Sequence, residues 1–118
     1  MISPEELPAF IEKSIPELSG AIKKNKCKNT YDVVRQMLTY TTSQVLKHNL
    51  GAAKKCMALA AHLYKKGNAH IKNAIENVYV YSFSHAFFHN EEKRKEMMEI
   101  IPLPLYELYK KQVINSHL

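Results

Sequence analysis

Glycine is scarce, three in 118 residues, and no Gly-rich loop is present. That removes the phosphate cradle on which Walker and Rossmann sites depend. Cysteine is scarcer still: Cys27 and Cys56 are too few for a disulfide framework and lack the C-x-x-C spacing of a zinc site, so reduced thiols in a cytoplasm are expected. No apolar run approaches the ~18 residues needed to span a bilayer. The opening Met1-Ile-Ser-Pro-Glu-Glu lacks the basic start and apolar core of a signal peptide, so no membrane contact is expected. Without low-complexity segments or an internal boundary, residues 1–118 are expected to form a single helical domain.

What the chain does contain is helical periodicity. Between residues 69 and 88, at about 100° per residue, Ile71, Ala74, Ile75, Val78, Tyr79, Ser82 and Ala86 share one arc. Phe83 and Phe87 flank it, and Val80, Tyr81 and Phe88 lie opposite. A helix this apolar needs neighbours on most sides, which makes it the expected central rod. A strand through Val78-Tyr-Val-Tyr-Ser-Phe is rejected, because period 2 puts Asn73 and Asn77 on the face of Ile75.

Six to seven helices are expected around that rod in a compact all-α bundle. Ser3-Pro4-Glu5-Glu6 reads as a helix start, with a first helix to Ser14. Pro16 restarts the chain, with Ser14 as cap, to about Lys24. After the basic connection Lys23–Asn29, Asn29 caps a helix over Thr30–His48. Residues 50–66 form the next, stopped by Gly67 in the left-handed region, and Asn68 caps the return, so 50–66 and 69–88 make an antiparallel hairpin. Asn90 caps Glu91–Ile101, and Pro102 separates a last helix from Pro104 to about Asn115.

Ala60, Leu63, Tyr64, Gly67, Asn68 and Ala74-Ile75 resemble one tetratricopeptide-type hairpin, which implies a small-residue helix ending at glycine with a second helix packed back on it. The block Leu63-Tyr-Lys-Lys-Gly-Asn with Lys72-Asn-Ala-Ile-Glu-Asn-Val-Tyr-Val-Tyr-Ser is similar to a family of small helical bacterial proteins of unestablished function. That resemblance implies an all-α fold and no particular activity.

The net charge of +6 is concentrated: residues 1–20 carry −3, residues 21–72 carry +10 and residues 73–118 carry −1. Lys54, Lys55, His62, Lys65 and Lys66 form one arc of the 50–66 helix, with Lys23, Lys24, Lys26 and Lys28 as possible neighbours, and such an arc attracts phosphates or an acidic partner. The alternative is a merely solvated face. With no arginine to read guanine and no aromatic for stacking, the arc lacks base-reading residues.

Other candidates are fewer. His85 and His89, at i and i+4, are metal-ligand candidates that need a third ligand, with His62, Cys56 and Glu92 available; the alternative is a histidine pair at the end of a core face. His70, Asn73, Asn77 and Ser84 form a polar stripe, read either as amides fastening a helix or as a ligand pocket shared with Tyr81. Glu76 is a general-base candidate or an exposed partner of Lys72. Ser82, Ser84 and His85 are close in sequence but have no oxyanion site. The expectation is therefore a non-enzymatic protein-interaction module, an adaptor or immunity-type binder, with no catalytic residues, no cofactor and another protein as partner. The alternatives are polyanion or nucleic-acid binding through residues 21–72, and metal or small-ligand binding near His85 and His89.

Overall fold

Residues 1–24 and 29–116 are described by the computed structural model of this chain. Lys26, Cys27 and Lys28, and with them the centre of the expected basic connection, lie outside the described residues. Among those described, the order is α1 (Leu7–Ser14), α2 (Pro16–Lys24), α3 (Thr30–Leu46), α4 (Leu50–Lys66), α5 (Ala69–Ala74), a π-helical segment (Ile75–Val80), α6 (Tyr81–Phe87), α7 (Glu91–Ile100) and α8 (Leu103–Ser116). From α5 through α6 the helical backbone is continuous, making a single rod. Counted that way there are seven helices and no strand among the described residues.

The rod is central, as its composition requires. α3 packs along all three of its segments, α4 covers α5 and the π segment, α8 lies on the π segment and α6, and α7 touches α6. α1 and α2 pair with each other, and α2 rests on α3. Val80, Phe83 and Phe87 are all buried, at 3%, 2% and 4% exposure. Truncating either phenylalanine to alanine would cost about 3–5 kcal/mol.

The π segment changes which residues the rod buries. A wide i→i+5 turn adds a residue, so every position beyond it is rotated back by roughly one step of ~100°. Ser84 and Phe88 are thereby turned into the core, whereas Ala86, placed inside by a uniform wheel, is exposed. The expected buried polar stripe does not exist: His70, Asn73 and Asn77 are exposed and Ser84 alone is buried. His85 and His89 likewise do not end a core face, because the same rotation carries them outward with Tyr81.

Three of the expected caps are present: the side chains of Asn29, Asn68 and Asn90 accept from Asp32 N, Ile71 N and Lys93 N at 2.9, 3.0 and 3.2 Å. Ser14 is not a cap. Its hydroxyl donates backwards to the Phe10 carbonyl at 3.1 Å and so belongs to α1. Ser3-Pro4-Glu5-Glu6 forms a turn ahead of α1 rather than its first turn, with the Ser3 hydroxyl donating to the Glu6 carboxylate at 2.9 Å.

Gly67 also departs from expectation. Its backbone is extended (φ −76°, ψ 163°), and a Cβ there would lie 2.5 Å from the Leu63 carbonyl oxygen and 2.6 Å from Ile71 Cγ2. Crowding, not a left-handed turn, is why this position holds glycine. The N-terminal strand-like residue Ile2 adds to the crowding: its amide donates to the Lys66 carbonyl at 2.8 Å, and its carbonyl accepts from Asn68 N at 3.0 Å. The left-handed residue is instead His48 (φ 59°) between α3 and α4. There Asn49 N bonds the Gln44 carbonyl and His48 N bonds that of Val45, the 6→1 and 5→2 pair of a Schellman turn.

Candidate functional site

α4 presents the basic arc as its periodicity implies. Gly51, Lys54, Lys55, Ala58, His62, Lys65 and Lys66 are exposed, while Ala53, Cys56, Met57, Leu59, Ala60 and Leu63 are buried. From Lys54 to Lys66 the face runs about 18 Å at 1.5 Å per residue. Elsewhere Arg35 pairs with Asp32 at 3.1 Å, Lys93 with Glu96 at 3.5 Å and Lys111 with Glu76 at 3.8 Å. Among the described residues, none of the four α4 lysines has a carboxylate partner. Lys23 and Lys24 are exposed at the end of α2. At the arc's centre His62 stacks flat on Phe10, ring centroids 5.4 Å apart and planes within 6°, so α1 supports one of its side chains.

A second site is formed where the end of the rod meets α8. Tyr81, Ser84 and His85 of α6, Phe88 and His89 just beyond it, and Tyr109, Gln112 and Val113 of α8 line a cleft of about 360 Å³. Tyr81, His85 and His89 stand in a row, with successive ring centroids 4.3 and 5.7 Å apart. Phe88 stacks on Tyr109 at 4.2 Å and so joins the rod to α8. The Ser84 hydroxyl donates to the Tyr81 carbonyl at 2.9 Å, and Gln112 Nε2 donates to the Glu76 carbonyl in the π segment at 2.8 Å. Gln112 Oε1 is buried with no hydrogen-bond partner. The sequence identified Tyr81, Ser84, His85 and His89, though as parts of two separate features. It gave no sign of Gln112, because an isolated glutamine on an amphipathic helix reads as surface.

The metal reading gains no third ligand. No group of three His, Cys, Asp or Glu side chains placed to hold a metal ion occurs among the described residues. His62 is on the Phe10 stack, and the Cys56 thiol is buried against the Met37 carbonyl at 3.6 Å. Burial pushes that thiol up to about 11, too high for a nucleophile at neutral pH. Glu76 pairs with Lys111, not with the expected Lys72.

No helix among the described residues is long and apolar enough to cross a membrane. Comparison with curated proteins and with solved structures finds no match to this chain. A family model does match, over residues 8–115, and that span takes in α4, the whole rod and both walls of the cleft. The chain therefore belongs to the family described as domain of unknown function DUF7674.

Proposed function

We propose that this protein is a non-enzymatic helical interaction module, a cytoplasmic bacterial adaptor or immunity-type binder, that docks an acidic partner protein through the exposed face of α4. One observation carries the reading: Lys54, Lys55, Lys65 and Lys66 are gathered, exposed, on one face of α4, and among the described residues none of them has a carboxylate partner. Unneutralised charge of one sign on a rigid element raises the association rate for an oppositely charged surface. The short α4–α5 hairpin, similar to a tetratricopeptide-type unit, holds that face rigid against the rod. Its bases are lysines rather than arginines and no base-stacking aromatic stands among them on that face, which favours an acidic protein over nucleic acid.

The test compares the wild-type chain with a Lys54→Glu/Lys55→Glu/Lys65→Glu/Lys66→Glu variant, by affinity capture from the native host and by retention of random-sequence duplex DNA across a salt series. A protein retained by the wild type and lost by the variant, with no DNA held at low salt, is the expected outcome. DNA retention that weakens steeply with salt would move the assignment to polyanion binding. Equal capture by both chains would remove the α4 face from the function.

A further inference from the structure

We propose that His85 and His89 form an exchangeable site for one divalent transition-metal ion, of the type of Zn²⁺ or Ni²⁺, held by two imidazoles at the edge of the α6–α8 cleft. The remaining positions on the ion are open to donors from outside the chain. The site is separate from the α4 face, and the inference does not depend on the docking role proposed for it.

The spacing fits a single ion. α6 ends at Phe87, but Phe88 keeps a right-handed helical backbone (φ −88°, ψ −1°), so His89 still stands one turn beyond His85 on the same side of the rod. The rotation beyond the π segment has carried both out of the core, and both are exposed. A ligating imidazole nitrogen lies about 2.0–2.1 Å from zinc, which sets two imidazoles on one ion with ring centres roughly 5–6 Å apart. Those of His85 and His89 are 5.7 Å apart, with their planes at 50°. The Tyr81 ring, one turn earlier, packs on that of His85 at 4.3 Å and restricts its rotation.

The ring nitrogens are free to ligate. Among the described residues neither imidazole has a hydrogen-bond or ion-pair partner. The other described histidines are engaged singly: His48 lies 3.9 Å from Glu96, His62 is stacked on Phe10 and His70 meets Tyr31 edge-on. No lysine or arginine lines the cleft to repel a cation, and no carboxylate lines it to attract a hard one such as Mg²⁺ or Ca²⁺. Imidazole donors alone select zinc, nickel or copper.

Two protein ligands do not make a structural zinc centre, which takes four, and among the described residues no third His, Cys, Asp or Glu is placed to join the pair. The ion is therefore exchangeable. Its open positions, beside a cleft of about 360 Å³, are accessible to a small donor ligand.

The probes are Zn²⁺, Mg²⁺ and the Ni²⁺ complex of nitrilotriacetate, a chelator that leaves two adjacent positions on the ion for a pair of imidazoles. The untagged, metal-free chain is titrated with each and followed by NMR of backbone amides and histidine side chains. Zn²⁺ is expected to shift the His85 and His89 ring signals and the amides of residues 81–90 saturably at one equivalent, with a Kd below about 100 µM. Mg²⁺ is expected to leave them unchanged at ~5 mM, and the Ni²⁺ complex to broaden the same signals. His85→Ala and His89→Ala, both at exposed positions, are each expected to weaken Zn²⁺ at least about tenfold with Tm in EDTA unchanged, while His70→Ala leaves the affinity intact. No saturable shift by Zn²⁺ up to ~1 mM, shifts centred on other histidines, full affinity in either single variant, an equal response to Mg²⁺, or no response to the Ni²⁺ complex would each overturn the assignment.

Discussion

Thr41 has a single hydroxyl proton and donates it to the Met37 carbonyl at 3.0 Å, so in its 2.7 Å contact with the fully buried Tyr79 hydroxyl the tyrosine is the donor. Cys56 shares the Met37 carbonyl, which gives the centre of the bundle a small polar network whose members are all neutral. Burial is the main cause that raises both the Cys56 thiol, to about 11, and the Tyr79 phenol. The sign of the consequence follows: below pH 9, the ordinary thiol value, Cys56 is protonated whether the chain is folded or not, and its contribution is intact. Between 9 and 11 the unfolded thiol ionises first, so unfolding becomes favoured as pH rises. At pH 10 the loss from Cys56 is about 1.4 kcal/mol, one pKa unit's worth. Urea titrations at pH 7.5 and pH 10 should show the wild type losing that much more stability than Cys56→Ala. An equal loss in both chains would mean the thiol is not the titrating group.

At the level of helices and their junctions, Gly67 sits where space is tight and His48 where the backbone is left-handed. His48→Gly relieves a left-handed non-glycine residue and is expected to raise stability by about 1 kcal/mol. Gly67→Ala sets a methyl group against the Leu63 carbonyl and Ile71 and is expected to lower it by about 2 kcal/mol or more. Thermal unfolding of the two variants checks both signs; a stabilised Gly67→Ala would show that the turn relaxes freely. The π segment acts at the same scale. It keeps Phe83, Ser84, Phe87 and Phe88 facing the core at one end of the rod, and it turns the row Tyr81, His85, His89 toward the cleft.

For the molecule as a whole, the radius of gyration is 13.6 Å, against about 13.5 Å expected for a compact chain of this length. Among the described residues every helix packs against another, so the α4 face and the α6–α8 cleft belong to one packed body. The N-terminal segment helps to close that body through the two backbone bonds between Ile2 and the α4–α5 turn. Deleting residues 1–3 should cost about 1–3 kcal/mol and speed amide exchange at Asn68, whose bond to the Ile2 carbonyl is lost. Unchanged exchange there would mean that the clip adds nothing to the turn.

Local chemistry was enough to identify the all-α class, the boundaries of α4, its basic face and the caps at Asn29, Asn68 and Asn90. Those features depend on residues within a turn or two of each other, and regular α-helix periodicity describes them. Tertiary packing alone decided which face of α5 is buried, leaving His70 and Asn73 exposed, and decided the π turn, and with it the outward row of histidines and the partnership of Glu76 with Lys111. A wide turn has no motif of its own: it persists because α3, α4 and α8 pack against that segment, and Gln112, 36 residues further on, bonds one of its carbonyls. The cleft is legible only in three dimensions for the same reason, since its walls come from helices that no sequence period connects.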